Sequence, residues 1–366
     1  MLSSLPSKTK ISFREETVRN PMNDTKKLVW IDTDPAFGDE QGDCDDGYAM
    51  IALFHSKQID IVGISAVFGN TYVANAYQKL LKLMTFESKL PPIYWGAQDP
   101  LQLNIHTKLA PDVALITTDA SQALSDYLIQ LEPGKKLTIV AIGALTNIAT
   151  VLLLHPELED KIESVIVIAG RYSVDQLFYF GTKQISDGKA PFRDLNFDVN
   201  PDAFRALLQR SVKVVLVGVE VARKLWLYDT DLKNFQDQGS ADIAYMASVS
   251  SGWLNLWEGF GNEIDDNLQP ILNADKEKIP VHGFNPFDLL AASYAINPDW
   301  FIAEERAIEL PLALDDTQLK SPNTSFKYYL VAPPQSKAPK RVTYLKDVSP
   351  KYSQDIKALL LKPECS

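Results

Sequence analysis

Carboxylates crowd two short stretches near the start of the chain, Asp32-Thr-Asp34-Pro35 and the acidic run Gly38-Asp-Glu-Gln-Gly42-Asp43-Cys44-Asp45-Asp46-Gly47. Asp has an ordinary use at turns and helix starts, where its side chain accepts backbone N–H bonds. That accounts for any one of these residues. It does not account for an Asp-x-Asp at a strand end followed by Asp45-Asp46 at the next helix start. Asp32, Asp34, Asp45 and Asp46 aimed at one spot repel each other and shift each other's protonation unless a cation neutralises them. Hard oxygen donors of this kind suit Ca²⁺ or Mg²⁺, so the pattern predicts a metal site.

Regular elements must bring these stretches together. Leu28-Val29-Trp30-Ile31 reads as a buried strand, which puts Asp32 and Asp34 where it stops, and Tyr48 to Phe54 reads as the first turns of a buried helix. Further strands are expected over Ile59 to Val67, Pro92 to Gly96, Leu137 to Ile142, Val165 to Ala169 and Val212 to Val219, the last closing the series. Between them, helical spacing runs over Val73 to Met84, Ser121 to Leu131 and Leu145 to Leu154, and Asn200-Pro201-Asp202 opens another helix with an N-cap Asn and a Pro at its first position. Such alternation predicts an α/β fold, an open and mostly parallel sheet with helices on both faces. Ligands of such sheets bind at the carboxyl ends of the strands.

Three stretches break the rhythm: Tyr172 to Asp194, Leu225 to Lys278, and the tail from about Ser321. The second is rich in aromatics, Trp253 and Trp257 among them, which suit either a core or a stacking wall for a planar ligand. The expected organisation is a flexible N-terminal extension over 1–26, a single α/β domain over 27–330 and a C-terminal extension over 331–366.

A net charge of −11 argues against nucleic acid or an anionic membrane as partner, since both need a basic face. A small molecule is the more natural ligand. Cys44 and Cys365 make neither a disulfide framework nor a zinc pattern, and no signal-peptide core or membrane-spanning run is evident. A cytoplasmic protein is expected.

More polar groups collect at the strand ends: Gly69-Asn70, Gly143 to Asn147, Asp194-Leu-Asn196, and Phe287-Asp288 at the start of an apolar helix. In this order they resemble the motifs of the nucleoside hydrolase family, also called inosine-uridine preferring, over roughly Lys27 to Trp300. The resemblance implies Ca²⁺-dependent hydrolysis of the N-glycosidic bond of ribonucleosides by a homo-oligomer, a dimer or tetramer. It implies a Ca²⁺ held by Asp34, Asp46, the carbonyl of Ile142 and Asp288, with water and ribose hydroxyls completing the shell. Asp45 and Asn70 then bind the sugar, Asp194 and Asn196 lie at its far side, Asp32 buttresses from behind, and Asp34 is the general base that activates water.

The chain departs from that pattern at several points. The family motif places three residues between its second Asp and the Asp pair, whereas ten lie between Asp34 and Asp45, which leaves Asp39-Glu40 as a rival acidic pair. Asp45-Asp46 is preferred because the helix follows it. Ala36 replaces a Gly, Asp194 a Glu, Gly188 an Asn, and Phe287 the His that precedes the late Asp in the best-known branch. With that His gone, Phe287, Trp253 or Trp257 is expected to stack on the base, and His282 or His106 to supply any proton it needs.

Other readings fit less well. A phosphatase of the haloacid dehalogenase type also begins with Asp-x-Asp after a strand, but it wants Thr or Val where this chain has Ala36. An EF-hand loop counted from Asp43 would need Gly at Tyr48 and Glu at Phe54. The serious alternative is a riboside-binding relative with weak or altered activity, motivated by Gly188, Asp194 and the insertion.

Overall fold

The computed structural model describes residues 26–40, 42–101, 117–171, 194–263, 282–308, 337 and 339–363, with backbone alone over 258–263. Residues 1–25 of the expected N-terminal extension, His106, Gly188 and Cys365 lie outside the described residues.

Eight strands form one sheet in the order β3-β2-β1-β4-β5-β6-β10-β9. They are β1 (Lys27–Thr33), β2 (Ile59–Ala66), β3 (Ile93–Tyr94), β4 (Leu137–Ala141), β5 (Ile162–Ile168), β6 (Val214–Val217), β9 (Phe301–Ala307) and β10 (Arg341–Val348). All neighbours pair in parallel except β9, which runs antiparallel to β10. The first three strands build outward from β1 in one direction and β4 starts the other, so the order reverses between β1 and β4. At such a reversal the connections leave to opposite faces and open a crevice at the carboxyl edge. Asp32 and Asp34 end β1 at that crevice, and Ile142 ends β4 beside them, its N–H donating to the Asp32 carbonyl at 2.8 Å.

The strands are apolar on both faces because helices cover both. Helix α1 (Asp45–His55) is buried on nearly every side, as a helix sandwiched within a core must be. It packs against the similarly buried helix Phe287–Ile296. At its far end His55 bonds the Asp242 carboxylate at 2.7 Å and the Leu359 carbonyl at 2.8 Å, tying α1 to two later helices. Helix α2 (Val73–Met84) follows β2 with Val73, Ala76, Leu80 and Leu83 on its buried face. Asn200 caps the helix Pro201–Leu208 by accepting from Ala203 N at 3.2 Å, as its sequence promised.

Trp30 shows how closely the strands near the site are fitted. A register shift between Val29 and Trp30 sets Gly63 opposite Trp30, and a Cβ on Gly63 would stand 2.3 Å from the indole. The ring stacks on Tyr94 at 5.3 Å, and its N–H donates to Ser65 Oγ at 2.9 Å.

The expected series stops at Val219 and treats 331–366 as an extension; the sheet corrects this. β10 lies inside it, parallel to β6 and antiparallel to β9, with Val342, Tyr344 and Leu345 buried. The helix Tyr352–Leu361 then packs on α1, and the Tyr352 hydroxyl donates to Ser293 Oγ at 3.0 Å. Charged residues on both sides of the buried positions of β10, Arg341 before them and Lys346 and Asp347 after, hide its strand pattern. Leu227–Tyr228 (β7) and Gly283–Phe284 (β8) form a small separate antiparallel pair.

Candidate active site

Two strand ends and two helix starts converge at the crevice. From β1 comes Asp34, fully buried, whose Oδ2 accepts from Asn70 N at 2.7 Å at the end of β2. From the first turn of α1 comes Asp46, whose Oδ1 accepts from Asp34 N at 3.2 Å and from the Thr33 hydroxyl, while Asn70 Nδ2 reaches its Oδ2 at 3.5 Å. Asp45, one residue earlier, accepts from the backbone N of Asp288 at 3.2 Å at the start of the Phe287–Ile296 helix. The amide ends of both helices thus face the carboxylates, where their partial positive charge favours anions.

Two glycines make this approach possible. A Cβ on Gly69 would stand 1.7 Å from Asp34 Oδ2, and one on Gly143 would stand 3.1 Å from Oδ1 of the same carboxylate. Their place in the motifs is a matter of room.

Burial and mutual repulsion raise these acids. Burial first, then Asp46, holds Asp34 well above the usual carboxylate range. Burial pushes Asp46 up to about 7, with Asp45 adding to it, while Thr33, Asp34 N and Asn70 pull it down. Asp45 rises only to about 6, because the backbone donors of Asp288 and Phe287 offset part of the same desolvation. Asp288 is raised by burial and then by Asp45, Asp46, Asp43 and Asp34.

Asp32 stands behind the cluster. Ser65 Oγ and Asn147 Nδ2, the latter at 2.8 Å, both donate to its Oδ1, and burial raises its carboxyl to about 7. Asn147 also bonds the Ala66 carbonyl and Ala97 N, so it fastens β1 and β2 to the helix after β4. On the β4 side, Asn196 Nδ2 donates to the Ile142 carbonyl at 2.9 Å. Asp194 accepts from Gly170 N at 2.9 Å; burial lifts it to about 6 against the pull of Arg171.

The aromatic residues meet beside Asp288. Phe287 lies 6.1 Å from Trp257, which lies 6.3 Å from Trp253. Trp257 is buried, whereas Trp253 and Phe287 are half-buried. His282 is exposed in the turn entering β8, its carbonyl accepting from Asp229 N at 3.1 Å. The rival acid Asp39 is turned outward to α2, bonded by Lys79 and by Asn75 at 2.5 Å.

One acid escaped the sequence reading. Ligand oxygens of Asp43, Asp45 and Asp46 lie within 4.8 Å of one another, the one such trio found among the described residues. Asp34 and Asp288 stand outside that trio. Asp34 Oδ1, Asp43 Oδ1 and Asp45 Oδ1 are all buried without a hydrogen-bond partner. Buried anionic oxygens lacking N–H donors fit a hard divalent cation, which would replace the missing donors.

Comparison with known proteins bears on this geometry. The sequence model of the inosine-uridine preferring nucleoside hydrolase family matches residues 29–350, from β1 through β10. The chain is 24% identical over 234 residues to the pyrimidine-specific ribonucleoside hydrolase RihA of Salmonella typhi, an alignment covering 60% of this chain and 69% of that one. The RihA of Escherichia coli O139:H28 matches with the same identity and coverage. Among solved structures, the plant nucleoside hydrolase PpNRh1 superposes with a TM-score of 0.65 at 17% identity, covering 92% of this chain and 98% of the other. A purine-preferring ribonucleoside hydrolase from Gardnerella vaginalis gives 0.66 at 16% identity, covering 91% and 98%. Those structures share the fold, and the family match spans the strands and loops that carry every carboxylate described above. The chain belongs to the inosine-uridine preferring nucleoside hydrolase family and is an N-ribosyl hydrolase.

Proposed function

We propose that this chain hydrolyses ribonucleosides to ribose and free base with Ca²⁺ bound among its carboxylates. The observation that carries the reading is the pair of buried, unpartnered oxygens on Asp34 and Asp45, at the point where the sheet order reverses. Asp34, Asp46, the Ile142 carbonyl and Asp288 would hold the ion. When bound, it would lower the pKa of a water and grip the ribose hydroxyls.

The remaining work falls to the chain itself. The C1′–nitrogen bond breaks through an oxocarbenium-like state, as in other glycoside hydrolyses. Asp34 accepts the proton of the attacking water, whose oxygen bonds C1′, while the bonding pair leaves with the base. Asp45 and Asn70 orient the sugar, and Asp194 and Asn196 close its far side. Asp32, gripped by Ser65 and Asn147, keeps the end of β1 rigid behind Asp34. The half-buried Phe287 and Trp253 offer the departing base a stacking surface.

The net charge of −11 supports a small uncharged substrate over nucleic acid. Among the described residues no helix is long and apolar enough to cross a membrane.

Incubation with a panel of ribonucleosides, scored for free ribose, tests the reading. Release from at least one natural nucleoside, abolished by chelator and restored by Ca²⁺, is expected. Nucleoside binding without any ribose release would support the riboside-binding alternative instead.

A pH signature should accompany the ion. Asp32 and Asp46 sit at about 7 and Asp45 and Asp194 at about 6, all above the ordinary carboxylate value near 4. Groups raised in the folded state bind more protons there than in the unfolded chain. Their contribution is therefore fully present below about pH 4 and is lost as pH rises through 6 to 7. The melting temperature of chelator-stripped protein should fall between pH 5 and pH 8, and Ca²⁺ should flatten that fall by favouring the charged carboxylates. A metal-free melting temperature that rises over this range would contradict the assignment.

A further inference from the structure

The loop from β1 to α1 is longer than the family motif it resembles, and hydrogen bonds hold several of its described residues. Asp39 N donates to the Ala36 carbonyl at 3.2 Å, and Gly42 N donates to the Asp39 carbonyl at 3.1 Å. Gly42 passes so near Ala36 that a Cβ there would stand 2.1 Å from the Ala36 oxygen, and Gly38 takes a positive φ of 80° against Val249. The Asp39 carboxylate is fixed to Lys79 and Asn75 on α2. Asp43 follows Gly42, two residues before the start of α1.

There it joins Asp45 and Asp46. Two oxygens bound to one Ca²⁺ at 2.3 to 2.6 Å can stand at most about 5 Å apart, and those of Asp43, Asp45 and Asp46 satisfy this, lying within 4.8 Å of one another. Asp43 Oδ1 is buried without a hydrogen-bond partner, and so is Oδ1 of Asp45, a residue only 6% exposed. Three carboxylates this close, two of them with an unpartnered buried oxygen, are poorly placed unless a cation lies among them.

We propose that Asp43, supplied by the insertion, is an additional ligand of the cation at this site. This rests on the Ca²⁺-binding reading given above. The extra carboxylate takes a coordination position that water would otherwise fill, and carboxylate number is a main determinant of Ca²⁺ affinity.

The test uses the full-length protein stripped of metal and titrated with Ca²⁺ by calorimetry, for wild type, Asp43→Asn, Asp43→Ala, Glu40→Gln and Asp46→Asn. Both Asp43 variants should bind Ca²⁺ about tenfold more weakly or worse. Glu40→Gln removes an equal charge from an exposed position in the same loop and should stay within about twofold. Terbium luminescence lifetimes in H₂O and D₂O then count the waters on a bound Tb³⁺. Asp43→Ala, which leaves no ligand oxygen at the position, should gain at least one water over wild type. Circular dichroism confirms that each variant is folded before titration. Affinity within about twofold of wild type in both Asp43 variants overturns the proposal, as does an unchanged water count in Asp43→Ala. If Asp46→Asn loses the ion while the Asp43 variants keep it, Asp43 alone is misassigned. If wild type binds neither ion, the cation reading falls and this proposal with it.

Discussion

Asp34→Asn is expected to lower turnover by about 10² to 10⁴ while leaving the protein folded. The amide keeps the size of the side chain and can still accept from Asn70 N, which bonds Asp34 Oδ2 at 2.7 Å. What it cannot do is take a proton from water. The exchange also removes charge from a site where burial and Asp46 already hold the carboxyl far above its usual range. Metal-free stability should therefore hold or rise. Because Asp34 is also proposed as a ligand of the ion, the rate must be measured at saturating Ca²⁺, with binding followed separately. A large loss of kcat at full occupancy assigns the base to Asp34. Near-normal kcat there would mean that another group activates the water.

How much of this was legible in the chain depended on how local each signal was. Helix α2 runs over Val73–Met84, as its spacing predicts, because Val73, Ala76, Leu80 and Leu83 define a buried stripe without help from elsewhere. Asp45 and Asp46 fall in the first turn of α1 because an unbroken apolar run follows them. β9 and β10 went unread for the opposite reason. Arg341, Lys346 and Asp347 flank the buried positions of β10, Glu304 to Arg306 fill the middle of β9, and the two strands join the sheet only by pairing with each other and, through β10, with β6.

The site follows the same division. Asp34, Asn70 and Asp288 could be found from motifs, whereas Thr33, which donates to Asp46, and Ser65, which donates to Asp32, carry no mark in the sequence. Asp43 stood in plain view within the acidic run, yet the approach of its oxygens to those of Asp45 and Asp46 depends on how the loop folds before α1. Nothing in the spacing of the run encodes that approach. Phe287 was legible as a departure from the family pattern, and the structure sets it in an aromatic group with Trp257 and Trp253 that single-residue reasoning could only list as alternatives.

The enzyme should reject 2′-deoxyuridine relative to uridine by roughly 10⁴ in kcat/KM. The reason lies in what the pocket would be left with. Asp45 Oδ1 is buried and has no hydrogen-bond partner, and its other oxygen is already engaged by Asp288 N. A ribose hydroxyl is the natural donor for that free oxygen. A deoxy sugar would leave it buried and bare, and an unpaired buried acceptor costs about 1 to 3 kcal/mol, more when it is charged. One such loss gives about tenfold to a hundredfold, since each factor of ten is about 1.4 kcal/mol. The remainder would have to come from the lost contact of the 2′ hydroxyl with the ion. The two contributions can be separated by measuring both nucleosides with Asp45→Asn at saturating Ca²⁺. An amide in place of the carboxylate should slow uridine far more than deoxyuridine and so shrink the ratio, because only the ribose has a hydroxyl to miss it. A ratio near one in the wild type would remove Asp45 and the ion from sugar recognition together. An undiminished ratio in Asp45→Asn would leave the ion as the sole reader of the 2′ position.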